Sequence, residues 1–522
     1  MSSTSSSTGR KGRRSKRKPD VLHKPRGTFS PRVQNVGPER FGIVSVDCAK
    51  ARSKWMLADF YGKVLVPPTV VGHTRAELDA ALEQVRKAQA LHDLRDMLVS
   101  IERTGRYHHP VREAFRSAGY DTRIIHPFTV KQYRLPADPG TKTDDTDLAA
   151  NFRATVNGFA LGEQVRDLFW EGFQLLIRHR RDLVQKTSTL CCQIKEHLQT
   201  AMPGYAEAFS DLWENKVALK LALHFGSSHA ILQAGLAGLE QAMRQPNLRF
   251  QKRSLEQALQ WAHRAAPAEV AAAWHVRLAG AYEEDRAGKA RQILLLEGQI
   301  AQQLAATPYV LLLSIPGLNV VSVGEFAGEA GPIENYASSR CITGRAGIYP
   351  SRYQSDEVDH RNGVMVKCAN RRLRYAILQA ADCLINNNNH FGGLASIWRS
   401  QGKDARLIHT RVACRFARIA FQMVAGRQVF RHPAARDRHY ILEKLLRFHT
   451  EHGTPSDQVQ ADLQAARQWL APAEQPLEAI PLQRQLDELR QRRRGAQAVG
   501  QVLSLVLAEL GAMVVQSVPS GH

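Results

Sequence analysis

The stretch FGIVSVD, Phe41 to Asp47, is an apolar run that ends on an acid, and the reading of the 522-residue chain works outward from it. A short run of this kind, rich in β-branched residues, predicts a buried strand. Downstream, SKWMLADFYGKVLVPPTVV predicts two strands joined by a turn at Tyr61-Gly62-Lys63. The periodicity from Thr74 to Leu91 predicts a helix with Leu78, Leu82 and Val85 on one face. MLVSIERTG repeats the first pattern, a buried strand ending on Glu102. A helix from Val111 to Ala118 and a short strand from Thr122 to Ile125 follow. The Pro/Gly-rich loop RLPADPGTK then leads into a helix opening at TDDTDLAANF.

The resulting order, three strands, helix, strand, helix, strand, loop, helix, is an RNase H-like α/β order. It gives the acids their interest. Asp47 and Glu102 end strands, where open sheets meet their ligands. Asp144 and Asp147 lie three apart at the start of a helix and share a face, while Asp145 is rotated about 100° away. Taken singly, a strand-end acid is usually a turn residue, and acids at a helix N-terminus suit its dipole. Four such acids in this order are a candidate metal set. Oxygen ligands without nearby His or Cys suit Mg²⁺, or Mn²⁺, better than zinc.

Composition points to the partner. A formal net charge of +22 and a pI near 9.9 attract polyanions, nucleic acid first and an anionic membrane surface second. The most apolar run, Val502 to Val515, is too short to span a bilayer and carries Glu509. No secretory signal opens the chain, and its seven cysteines, with irregular spacing, suggest neither a disulfide framework nor a zinc site. A cytoplasmic, nucleoid-associated location is expected. Residues 1–38, with GRKGRRSKRK, read as a disordered basic arm, and 39–160 as the α/β domain. Residues 161–306 read as a helical, coiled-coil region in which Ile293, Leu296, Ile300 and Leu304 form a seam within one chain or between chains. Residues 307–430 read as a mainly α domain. Here LLLSIPGLNVVSVGEF predicts helix, tight turn, helix, with Gly317 in the turn. That motif alone admits both a helix-hairpin-helix offering N–H groups to a phosphate and a plain helical turn. Beyond its short helices and loops, a single well-patterned helix is expected from Arg371 to Asn386. Residues 431–522 read as a polar helical extension of no named role.

In the same domain, Arg352, Lys367, Arg371, Arg372 and Arg374 form a basic stretch around Ser355 in PSRYQSD. By itself Ser355 reads as a loop serine, since a serine attacks phosphorus only when a base or a metal activates it and no G-x-S-x-G elbow is present.

The motifs SVDCAK, IERTGRYHHPV, IIHPFTVKQY and KTDDTDLA resemble the amino-terminal DEDD domain of an insertion-sequence transposase family that includes Piv-type DNA invertases and bridge-RNA-guided recombinases. SIPG, GIYPSRYQS and KCANRRLR resemble, in order, segments of that family's carboxy-terminal serine transposase domain. The resemblance covers residues 41 to 400. It implies a RuvC-like domain with metal ligands at Asp47, Glu102, Asp144 and Asp147, and a nucleophile at Ser355 that becomes joined to DNA. It also implies double-stranded element-end and target DNA, a structured non-coding RNA, and a homodimer or homotetramer. Two departures stand out: the glycine after the family serine is Asp356 here, and the family's KRGN-like run reads KCAN. The competing readings are a metal-only nuclease of the Holliday-junction resolvase kind and an inactive nucleic-acid-binding derivative.

Overall fold

The computed structural model describes residues 29–137, 139–162, 167–209, 211–213, 215–244, 250–268, 270–355, 358–360, 363–430 and 441–470. The chain divides into two units, Met1–Val165 and Arg166–His522.

The first unit begins with helix α1 (Phe29–Val36), then strands β1 (Phe41–Cys48), β2 (Arg52–Asp59) and β3 (Val64–Gly72). Helix α2 (Arg75–Leu91), strand β4 (Asp96–Glu102), helix α3 (His108–Ser117), strand β5 (Asp121–Ile125), helices α4 (Pro127–Arg134) and α5 (Asp144–Val156), and the two-residue β6 (Leu161–Gly162) follow. The sheet order is β3-β2-β1-β4-β5-β6, with β1–β4 and β4–β5 parallel and the other pairs antiparallel. This mixed sheet with flanking helices is the RNase H-like α/β fold expected. Leu78, Leu82 and Val85 are buried against it, as their spacing predicts, and Gly62 takes the left-handed φ of +92° in the β2–β3 turn.

Two features correct the sequence reading. The basic arm does not extend to residue 38 as a disordered segment, because α1 is folded: Val33 is buried, and Arg32 bridges Asp96 (2.6 Å) and Asp121 (2.5 Å). A lone Arg among prolines carries no sign of two acids waiting 64 and 89 residues away. The expected order also lacks a helix that forms between β5 and the loop RLPADPGTK. Pro127 starts α4 at its first turn, where a missing N–H costs nothing, and His126 caps it.

The second unit is helical: α6 (Leu168–Ala201), α7 (Lys216–Phe225), α8 (Ser228–Met243), α9 (Lys252–Arg264), α10 (Ala272–Ala305), α11 (Val320–Ala330), α12 (Ser339–Ala346), α13 (Arg371–Asn387), α14 (Asn389–Ser400), α15 (Ala405–Ala425), α16 (Ile441–His452) and α17 (Ser456–Arg467). The long helices α6 and α10 pack antiparallel, since Arg180 meets Glu297 (2.8 Å) and His197 meets His275 (2.8 Å). Of the expected seam, Ile300 and Leu304 are fully buried within the chain, and Ile293 and Leu296 half-buried. Ile194, Leu198, Tyr205 and Trp261 build one core with α7 to α9. Phe173, Tyr309, Phe326, Phe391 and Phe416 build a second.

Around Gly317 the predicted first helix is a 3-10 helix, Pro308–Ser314, and only the second, α11, is an α-helix, closed by an Asn319–Ser322 capping box. Residues expected as short helices and loops after 387 form two full helices, α14 and α15. The helices α16 and α17, for which no role was expected, contribute Leu445, Phe448 and Leu463 to the second core. Lys444 donates to the carbonyls of Leu313 (2.7 Å), Ile315 (3.0 Å) and Leu318 (2.9 Å), bracing the turn from below. Among the described residues, no helix is long and apolar enough to cross a membrane.

Candidate functional site

Parallel pairing of β1 and β4 puts Val46 beside Ile101, so the next residues, Asp47 and Glu102, end adjacent strands at the same edge. Helix α5 brings the other two acids. Thr143 caps it through a reciprocal pair with Thr146, and Asp144, Asp145 and Asp147 fill its first turn, where the helix dipole favours negative charge. Asn151 fixes that helix to the strands: its amide donates to the Val46 carbonyl (3.1 Å), and its oxygen accepts from the Ser100 hydroxyl (2.6 Å). Thr155, one turn further, donates to Ser100 Oγ (2.7 Å). Asp147, Asn151 and Thr155 are spaced by four residues, so one face of α5 both carries an acid and anchors it.

The charges feel one another. Burial, then Asp144 and Asp147, push the Asp47 carboxyl above its usual range, opposed by Lys142. Burial, then Asp47 and Asp147, push Glu102 up to about 7. Carboxylates that raise each other's pKa in this way favour a proton or a cation between them. Asp147 is buried and ion-paired with Arg134 of α4, both side chains nearly inaccessible. Asp145, the acid rotated off the set, pairs with Lys54 (2.6 Å). Asp144 is exposed.

The donor set is hard oxygen of uniform charge, which fits a divalent cation. Arg134 is the cation that Asp147 now holds, and among the described residues no three His, Cys, Asp or Glu side chains are gathered tightly enough to chelate an ion. The sequence reading did not single out Arg134, Asn151, Ser100 or Thr155. Asn151 and Thr155 left a signal, polar residues one and two turns beyond Asp147 on a helix face otherwise made of Ala and Leu.

In the second unit, Ser355 is exposed at the end of a strand, Tyr353–Ser355, paired with Val358–His360. Tyr353 is exposed beside it. Asp356 lies outside the described residues. Arg352, Lys367, Arg371 and Arg372 are exposed. Arg374 differs: half-buried, it donates Nε to the Ala346 carbonyl (2.8 Å) and another nitrogen to Val366, closing the loop that precedes α13. Gly317 has φ +92°, and a Cβ there would sit 3.2 Å from Asn387, so any side chain at this position is both strained and crowded. Asn388 holds the turn through the Pro316 carbonyl (2.8 Å).

Residues 44–203 match a family model of DEDD type described as a transposase, and residues 309–396 match one described as the transposase IS116/IS110/IS902 family. No curated protein matched the chain. A DEDD transposase domain points to dependence on a divalent cation. With both domains present in order, one over the acidic strand ends and one over the serine hairpin, the chain belongs to the IS116/IS110/IS902 family of insertion-sequence transposases, enzymes that cut and rejoin DNA.

Proposed function

We propose that this transposase cuts and rejoins insertion-sequence DNA through a covalent phosphoserine intermediate, with Ser355 as nucleophile and Asp47, Glu102, Asp144 and Asp147 as the ligands of Mg²⁺. The observation that carries this reading is the mutual electrostatic strain of the acids, which lifts Glu102 to about 7 and is relieved by a shared cation. Bound there, divalent cations would supply charge stabilisation to the phosphate and its leaving oxygen.

The remaining steps fall to the chain. Ser355 loses its proton, its oxygen attacks phosphorus, one P–O ester bond breaks, and the departing strand oxygen takes up a proton. The serine–phosphate ester conserves the energy of the broken bond, so a strand hydroxyl can reverse the attack and reseal DNA. Exposed Arg352, Lys367, Arg371 and Arg372, with the turn at Gly317, are suited to the DNA backbone. Arg374 acts by holding the loop in place. The resemblance supports element-end and target DNA selected by a structured non-coding RNA, and a homodimer or homotetramer, with a nucleoid location. The net charge of +22 is compatible with both polyanions.

The test incubates the protein with Mg²⁺, its co-purifying RNA and labelled element-end DNA, followed by a denaturing gel. A protein–DNA adduct present in wild type and absent in Ser355→Ala and Asp47→Asn is the expected result. A Ser355→Ala protein that cleaves as well as wild type would replace this reading with a metal-only nuclease.

A further inference from the structure

Helices α14 and α15 enclose a groove of about 320 Å³ lined by Trp398, Thr410, Arg411, Cys414, Arg415 and Arg418. No acid lines it. Among the described residues, none of the three arginine side chains makes an ion pair or hydrogen bond, whereas Arg178 and Arg180, elsewhere in the same unit, are spent on Glu329, Glu297 and Glu325. Arg411 and Arg418 are exposed and Arg415 is half-buried. The Arg411 guanidinium lies over the Trp398 ring, 5.5 Å from its centre, which presets its direction.

We propose that this groove is a second, dedicated contact for the backbone of duplex DNA. Arg411, Arg415 and Arg418 sit at i, i+4 and i+7, so they form one stripe about 10.5 Å long on α15. Duplex DNA carries one phosphate per strand for about every 3.4 Å of helix axis, so a stripe of this length and the reach of its three side chains suit a short run of up to three phosphates. Like charges one turn apart each cost the helix a few tenths of a kcal/mol. A polyanion offsets that cost, and nothing else in the groove does. A lipid surface does not fit. The opposite face of α15 is committed to the core through Val412, Phe416, Ala420 and Met423, and none of it is left to insert among acyl chains. The stripe lies outside the segment matched by either family model, which ends at residue 396.

The inference rests on the family's action on DNA and is independent of Ser355. It is tested with the full chain in EDTA, where no strand is cut, by fluorescence anisotropy with a labelled mixed-sequence duplex across a series of KCl concentrations. The triple variant Arg411→Gln/Arg415→Gln/Arg418→Gln is expected to lower the slope of log affinity against log salt by about 2.7, that is about 0.9 per lost phosphate contact. The Arg→Lys triple is expected to keep the slope. A control triple in the first unit, Arg75→Gln/Arg86→Gln/Arg116→Gln, removes the same charge and is expected to change it far less. Should the Gln triple fail to fold, the single exposed Arg418→Gln is expected to lower the slope by about 0.9. An unchanged slope, an equal loss in the control, or a loss confined to a labelled structured RNA would overturn the proposal.

Discussion

Asn151 accepts the Ser100 hydroxyl at 2.6 Å, and through that contact α5 is held to β4 in the interior of the first unit. The two residues are fully buried, and Asn151 also serves the Val46 carbonyl, one residue before Asp47. The acids of three separate elements are therefore set in register by one amide.

Asn151→Ala removes the acceptor of the buried Ser100 hydroxyl, which keeps only Thr155, and the side-chain donor to the Val46 carbonyl. A lost buried hydrogen bond costs about 1 kcal/mol or more, so a fall in melting temperature of the first unit is expected. DNA cleavage should fall with it even where the protein is still folded. A variant with wild-type melting and wild-type cleavage would show that the clamp sets nothing.

Arg134 predicts an exchange of cations. In Arg134→Ala the buried Asp147 carboxylate loses its counter-charge, a loss of about 3 kcal/mol by the usual behaviour of broken buried pairs. Added Mg²⁺ should recover much of that stability and raise the variant's melting temperature more than the wild type's. Equal Mg²⁺ shifts in both proteins would place the ion away from Asp147.

Glu102 gives the pH dependence its sign. With its carboxyl raised from 4.5 to about 7, the native state holds a proton that the unfolded chain has already released between those values. Stability without metal therefore falls as pH rises through that window, by about 2 kcal/mol once partial exposure to water is allowed for. Melting in EDTA at the two ends of the window should show this fall. Glu102→Gln should flatten it, and Mg²⁺ should reduce it. A Glu102→Gln profile that overlays wild type would assign the slope to other groups.

Lys444→Met keeps the length of the side chain and removes the donor to Leu313, Ile315 and Leu318. Three carbonyls in a packed turn lose a charged partner, and the second unit should lose about 2 kcal/mol or more. Urea unfolding followed by intrinsic fluorescence would report it, and an unaltered midpoint would contradict the brace.

The α/β order was legible because β1 and β4 are nearly unbroken apolar runs, and because Thr143 and three acids mark the start of α5 unmistakably. The site was less so. Arg134 is an ordinary basic residue before a Pro/Gly loop until α4 turns it toward Asp147, and Arg32 reads as one more charge of a basic arm until Asp96 and Asp121 are folded around it. Local pattern also misjudged LLLS before Pro316, whose apolar run fits an α-helix as well as the 3-10 turn that forms. In α15, Arg411, Arg415 and Arg418 alternate in sequence with Val412, Phe416 and Ala420, and only the fold separates them into a basic face and a core face. These outcomes depend on partners tens of residues away, which no window of sequence contains.

Lys444 also bears on how a gene of this kind decays. A stop codon after residue 430 would leave the four acids, Ser355 and both family-matched segments fully encoded. It would delete Leu445, Phe448, Leu463 and the ammonium beneath the Gly317 turn, stripping the second core of one wall. On the proposed chemistry, such a truncated copy would keep every reacting residue and lack part of its core, so an intact reading frame through α17 is expected to separate working elements from their relics.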